Sequence, residues 1–467
     1  MAESKRTLLP DATRHLARFS SQLRFRQIPP DVVERIKLSI LDSIGVCLHG
    51  ATLPWTRIVR DMVEAEAAKP VAAIFGSGRR TSAAGAALVN STAGHAFELD
   101  DIHKESIIHP GSLAMPVALA LAEAKGGVSG KDFITAMIAG YEVGARVGNA
   151  ATVRLLLNGW HPQGTSGVFT AAATAAHMLD LDEEKTLHTF GIVGSQAGGL
   201  MASQEGAMVK RLHSGRAAQS GVYAAQLANR GFTGITDVLE ASYGGYLVTH
   251  SDRPAPEKIV AGLGTSWETL NVGYKAYAAV TSIHTALDAL AQIMREQELT
   301  ADDIAAVDAA ISEATYVHCA WEYTAQGVTA AQMNLYYGLS MIALEGTAFV
   351  EQYSEDRLRD PRVLGFIPRI HARIDPEIDA LGATFRHAAR VAVDTRDGRT
   401  FRREILTRRG SAENPLRQDE IVHKFREVTR PCLTPSDAGR VVELVGEIEK
   451  LDSLDELIRI VAAPTKP

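Results

Sequence analysis

Between residues 14 and 150, apolar positions recur at intervals of three and four, the spacing that gathers them on one face of an α-helix. VVERIKLSILDSIGVCLHGA (32–51) shows this most plainly and runs into a glycine, a common helix terminator. KDFITAMIAGYEVGARVGNA (131–150) is apolar on nearly every side and dotted with glycine, so it predicts a buried helix with closely packed neighbours. The same style continues through residues 165–199, where LDLDEEK (179–185) supplies an acidic first turn for a further helix.

Near residue 251 the texture changes. SDRPAPEKIVAGLGTSW (251–267) is a proline- and glycine-rich connector that marks a boundary. Beyond it, TSIHTALDALAQIMREQE (281–298) predicts a helix, and the second half of ADDIAAVDAAISEATYV (301–317) alternates as a strand does. ARVAVDTRDGRTFRREIL (389–406) alternates on both sides of Asp397-Gly398, the signature of a β-hairpin. A smaller α+β unit over roughly 271–407 therefore follows a large all-helical one. The tail, residues 419–430 and 437–461, returns to helix and is expected to pack back on the helical unit. The fold class is mainly α.

Against this background the stretch STAGHAFELDDIHKESIIHPG (91–111) stands out, with His95, His103, His109, Glu98, Asp100, Asp101 and Glu105 between two apolar helical runs. Ionisable groups wedged between buried helices are costly unless paired or working, and their pKa values tend to be perturbed. A helix end with ordinary caps and a solvated acidic face would read the same way. His103, His109, Asp100 and Asp101 are metal-ligand types, but their spacing matches no zinc signature such as HExxH.

Three further stretches carry candidate chemistry. In GWHPQGTSG (159–167), His161 sits in a loop leading into a helix that begins near Thr165. A helix N-terminus suits an anionic ligand, and a histidine beside it could exchange protons with that ligand; an incidental histidine in a capping loop is the alternative. MVKRLHSGRAAQSG (208–221) crowds Lys210, Arg211, His213 and Arg216 beside small residues, either as an anion pocket or as a solvated basic face. KAYAAVTSIHTALDA (275–289) carries Lys275 and His284, the latter among apolar residues where a histidine is often a satisfied core group. No GxGxxG follows a strand, and no P-loop or GxSxG elbow is present, which removes the nucleotide and serine-hydrolase readings.

Composition narrows the picture. With 467 residues, 46% hydrophobic and 22% charged, the chain can build two or three globular units with ample core. A net charge of −7 argues against nucleic-acid and anionic-membrane partners, and makes the basic cluster around Lys210 a candidate carboxylate or phosphate clamp. No apolar run reaches the roughly 18 residues of a membrane span, and MAESKRTLLPDATRHLARF lacks the apolar core of a secretory signal. Cys47, Cys319 and Cys432 are too scattered for a disulfide framework or a metal site. A cytoplasmic protein is the expectation.

Taken together, these segments resemble the MmgE/PrpD family, which includes 2-methylcitrate dehydratases, cis-aconitate decarboxylases and iminodisuccinate epimerases. HAFELDDIHKESIIHPG (95–111) resembles the family's H-x-x-D-x-D-D…H-P segment. GYEVGARVG, GWHPQGTSG, KRLHSGRAA, the K-x-Y…H-x-x-x-D-A segment, MNLYYGLS and GSAENPLRQDEIVHKF follow in the family's order. The resemblance implies a large helical domain made from both chain ends with an inserted α+β lid, hence 1–267, 268–408 and 409–467. It also implies a homodimer that acts on a small di- or tricarboxylate and needs neither metal nor organic cofactor.

The resemblance carries roles to particular residues. Glu98 stands where relatives commonly have Asp, and the threonine that follows the acidic pair in some members is Ile102 here. His109 matches the HP histidine, His161 the loop histidine, Lys210 the clamp lysine and His284 the lid histidine. The implied chemistry is proton transfer next to a carboxylate, with cations holding the developing charge. His161 would be the leading base or acid and His109 the second, while Lys210 and His284 hold substrate carboxylates. Glu98, Asp101, His103, His213 and Arg216 would complete the substrate pocket, and Asp100 would orient histidines from behind. Dehydration, decarboxylation and epimerisation all remain open. The rival classes are a metal-dependent hydrolase on the same His/Asp cluster and a helical scaffold without catalysis.

Overall fold

The computed structural model describes residues 9–465, so the first eight residues of the N-terminal segment read above lie outside the described part. Local signals set many of the helix starts. Pro30 sits in the first turn of Pro30–Ala51, and the Ser82 side chain accepts from the backbone of Gly85 to cap Ala83–Gly94. Ser129 does the same for Gly130–Ala151, and Asp182, within the predicted LDLDEEK turn, for Glu183–Gly194. Glycines then let these helices touch. A Cβ at Gly144 would lie 1.8 Å from Thr170 Oγ1 on the helix Gly167–Met178, so no other residue fits that crossing.

One hydrophobic core gathers side chains from the helices between Ala12 and Leu247 and, from the other end of the chain, Phe425, Val441, Leu457 and Val461. The helix Gln418–Thr429 lies against Pro30–Ala51, where a Cβ on Gly45 would meet Phe425 Cδ2 at 2.9 Å. A second core gathers residues from Tyr277 to Val393 and also takes in Val46, Phe97 and Leu99 of the helical unit. The polar stretch around Glu98 therefore lies at the junction of the two cores.

The second core is built on a four-stranded sheet in the order Ile370–Ile374, Ile304–Ile311, Ala389–Thr395, Thr400–Ile405. The first pair is parallel and the others antiparallel, and the helix His284–Glu296 packs on the last two strands. The hairpin turns at Asp397-Gly398 as its sequence predicts, with Gly398 at φ +88°.

Two details differ from the pattern. In residues 301–317 the strand comes earlier than expected, and EATYV belongs to the helix Glu313–Cys319, because Ser312 accepts from the backbone of Thr315 and caps a new helix. A short hairpin, Ala72–Ile74 with Arg79–Thr81, interrupts the stretch read as helical; runs of three residues are too short to show either period. The mainly α class stands. Among the described residues no single helix is long and apolar enough to cross a membrane.

Candidate active site

The polar stretch leaves Ala83–Gly94 at Gly94 and rejoins helix at Gly111–Lys125. Between them, Ile102–His103 pairs antiparallel with Val272–Gly273, stitching the stretch to the connector between the two cores. Glu98 (φ +53°) and Ile107 (φ +57°) both take the left-handed conformation, which is unusual for side-chain-bearing residues and costly for a β-branched one. Glu98 is held there by three cations. Its carboxylate receives Lys210 Nζ, Arg211 Nη1 at 2.7 Å and Lys275 Nζ at 2.8 Å, and all four side chains are buried. Burial alone would raise the Glu98 pKa, but Lys210, Lys275 and Arg211 outweigh it and hold the carboxyl well below the usual range.

Asp100 serves two imidazoles. Its Oδ2 lies 2.7 Å from His95 Nδ1, and its Oδ1 lies 3.3 Å from His109 Nδ1. Gln163 then fixes the neighbourhood: its Oε1 accepts from the backbone N–H of His109 at 2.8 Å, and its Nε2 donates to Ser112 and Ser214 Oγ, each at 2.9 Å. The same loop carries His161, whose Nδ1 is 2.9 Å from His213 Nδ1. One ring of that pair must donate and the other accept. Burial, followed by the nearby His95 and Lys210, keeps the His161 pKa well below that of a free imidazole, so the resting ring is neutral.

Glu98, His109, His161 and Lys210 border one cavity of about 570 Å³ between the two units. Five cations line it, Lys104, Lys210, Lys275, Arg386 and Arg408, against two carboxylates, Glu98 and Glu313. In a chain of net charge −7 this local excess of positive charge produces a field that attracts anions. Burial brings the Lys210 ammonium down to about 8 despite the attraction of Glu98. Arg408 is 4% exposed, makes no ion pair among the described residues, and has a buried Nη1 without a hydrogen-bond partner. An unpaired buried guanidinium is expensive, and burial lowers its pKa to about 10. Gln204, Thr281, Ser282, Thr315 and the imidazoles of His318 and His387 add polar lining, and Ile102, Ile107, Val153, Leu156, Leu157 and Val317 supply an aliphatic part.

The structure brings some of the expected residues together and sets others apart. His213 backs His161, and Asp100 lies behind His109 as expected of an orienting group. Arg216 does not line the cavity: it is exposed on the helix Val209–Asn229 and bonds Gln219. His103 turns away from the cavity, with Nε2 3.0 Å from Glu268 and Nδ1 accepting from Ser106. Asp101 is buried among helices, taking Tyr141 Oη at 2.7 Å and the Gly111 N–H at 2.9 Å, with burial raising its pKa to about 8. Neither lines the cavity. His284 lies behind the wall made by Val280, Thr281 and Ser282; its Nε2 is 3.1 Å from the Ala279 carbonyl and its buried Nδ1 has no partner.

Several site residues escape the sequence reading. Lys275 and Arg211 were legible as parts of their segments but not as partners of Glu98. Arg386, Arg408, His318 and His387 enter the cavity from the α+β unit, with His318 Nε2 2.8 Å from Gln204 Oε1. A metal could be held by His95, Asp100 and His109, whose ligand atoms lie within 4.8 Å of one another. Asp100 Oδ2 is already engaged by His95 Nδ1, so His95 would have to turn its free Nε2 to the ion.

A cationic, histidine-lined cavity thus lies between the helical base and the α+β unit. The chain matches the MmgE/PrpD N-terminal domain over residues 14–258 and the MmgE/PrpD C-terminal domain over residues 277–450. It belongs to the MmgE/PrpD family and is an enzyme of that family's lyase type. It is 31% identical to a cis-aconitate decarboxylase of Aspergillus terreus, with 97% of this chain and 96% of the relative aligned. It is 30% identical to the cis-aconitate decarboxylase-like protein oryM of Aspergillus oryzae, with 97% of each aligned. The human cis-aconitate decarboxylase is 26% identical over 98% of this chain and 96% of its own.

Proposed function

We propose that this chain decarboxylates an unsaturated tricarboxylate of the cis-aconitate type, using its own side chains for proton transfer and no cofactor. The observation that carries this reading is the single cavity in which two histidines, His109 and His161, face an excess of three cations over carboxylates. The decarboxylase relatives at 24–31% identity, aligned along nearly their whole length, support the choice of reaction.

Substrate carboxylates pair with Lys210 and Arg408, which relieves the unpaired guanidinium. Breaking the bond between the methylene carbon and its carboxylate releases carbon dioxide. The electron pair left behind becomes the new C=C bond, and the pair of the old C=C bond collects beside a remaining carboxylate. Preorganised cations stabilise that charge. The anion also favours the protonated imidazole, so His161 acquires a proton as the substrate binds and delivers it to the carbon bearing the new charge. His109, steadied by Asp100, is the second proton-transfer group. His284 then lies one layer behind as a lid residue that adjusts the wall.

The test is a proton NMR time course with cis-aconitate in heavy water. Itaconate carrying one solvent deuteron at its new methylene group supports the reading, and recovered, unexchanged cis-aconitate removes it. We further infer a homodimer. Tyr223 and Leu227 lie one turn apart, exposed on the helix Val209–Asn229, and Phe232, whose N–H donates to the Leu227 carbonyl, is exposed beside them. Sedimentation of the Leu227→Asp variant as a monomer, against a wild-type dimer, checks it.

A further inference from the structure

The cationic side of the cavity is absorbed by the reading above; the aliphatic side is not. A small tricarboxylate is polar at nearly every edge, and a carboxylate set against an apolar wall loses its water without gaining a partner. Yet Ile107, Val153, Leu156, Leu157 and Val317 all face the same space as Lys210 and Arg408. Ile102 adds a branched alkyl group beside the acidic pair. These residues come from both units, Leu157 from the helical one and Val317 from the helix Glu313–Cys319.

The wall is also open. Leu157 is 61% exposed and Val317 73% exposed, while both still line the cavity. Exposed apolar surface is a mark of binding sites, ligand grooves among them, and here it lies on the lining of the cavity. Ile107 reaches the wall through a left-handed backbone that a β-branched residue rarely takes, so its sec-butyl side chain is placed there against local preference. At about 570 Å³ the cavity also falls within the range of roughly 300–1,000 Å³ that houses ligands well above the size of a simple tricarboxylate.

We infer that the substrate carries a linear aliphatic substituent, seated on Ile107, Leu156, Leu157 and Val317 while its carboxylates face the cations. The inference rests on the decarboxylase reading for the anionic half and adds the apolar half. Each methylene moved from water onto such a wall favours binding by a factor of about three to four, so a butyl chain should outweigh the entropy of ordering it.

The experiment compares cis-aconitate with its homologue bearing a butyl group on the methylene carbon, on the full-length protein. Turnover is read by release of carbon dioxide and binding by calorimetry. The expected result is a kcat/KM at least tenfold higher for the butyl compound, with that ratio falling toward one in Leu157→Ser and Val317→Ser. Equal or faster turnover of cis-aconitate overturns the aliphatic subsite and leaves the decarboxylase reading standing. If neither compound is turned over, binding decides. At least tenfold tighter binding of the butyl compound, lost in Leu157→Ser, supports the subsite while removing the decarboxylase, and equal or absent binding overturns both.

Discussion

Lys275 Nζ reaches Glu98 Oε2 at 2.8 Å across the junction of the two hydrophobic cores, joining residues 177 positions apart in the chain. Lys275 lies between Tyr274, which packs in the first core, and Tyr277, which packs in the second. Glu98 is thus both the neutralising centre of the cavity floor and the clasp between the units.

Replacing Glu98 with Gln leaves Lys210, Arg211 and Lys275 buried without a carboxylate. The expected cost is about 3–5 kcal/mol, the range for breaking a buried ion pair from one side, measured by urea unfolding. The sign with pH follows from the lowered carboxyl pKa. Glu98 stabilises the fold fully above its unfolded pKa of about 4.3 and loses that contribution as pH falls through its folded value. The Glu98→Gln variant should therefore show a flatter acid limb of stability than the wild type.

His161→Ala should lower kcat on the order of 10²-fold or more, with circular dichroism and thermal unfolding showing an intact fold. His213→Phe, which removes the partner of His161 Nδ1, should lower kcat less and alter the pH dependence of the step. A His161→Ala variant with near-wild-type turnover would take this residue out of the reaction.

The ammonium of Lys210, brought down to about 8 by burial, should give kcat/KM a descending alkaline limb near that pH as the clamp loses its charge. Lys210→Arg carries a guanidinium that stays protonated, so the limb should move upward even if the overall rate drops. An unchanged limb in the variant would assign it to another group.

Arg408→Met exchanges an unpaired buried cation for an apolar side chain of similar length. Stability should hold or rise, since the uncompensated charge is removed. KM should increase at least tenfold, because a charge-assisted bond to a substrate carboxylate is worth about 1.5–3 kcal/mol. Thermal unfolding and steady-state kinetics on the same preparation check the two halves together.

Chelation tests the group formed by His95, Asp100 and His109. Dialysis against EDTA should leave turnover unchanged, and elemental analysis should find no stoichiometric metal. Loss of activity restored by zinc or manganese would reverse the assignment.

Much of the fold was legible because its helices are long and strongly periodic. Pro30–Ala51 and Gly130–Ala151 could be read directly, as could the hairpin at Asp397-Gly398. The strand Ile304–Ile311 was placed too late because alternation does not reveal where a serine will start a helix. In the site, Glu98, His109, His161 and Lys210 each sit in a segment whose composition is odd for its surroundings. Helix phase separates Arg216 from the cavity: six residues at about 100° each carry it well away from the face of Lys210. His103 and Asp101 share the polar stretch with His109, but the strand pairing with Val272–Gly273 and the closure onto Gly111 point them elsewhere. Arg408 is not legible in the sequence because it stands in TRRG, a run that reads as solvated, about 200 residues from Lys210.

The first core needs both ends of the chain, which sets an order of events during synthesis. Pro30–Ala51 leaves the ribosome early, while its partner Gln418–Thr429 follows only after the whole α+β unit has been made. At about 5–20 residues per second that interval is on the order of half a minute. Through it, the groove at Gly45 that later receives Phe425 remains an uncovered apolar surface. The intervening unit has time to fold on its own sheet before the base is sealed around it.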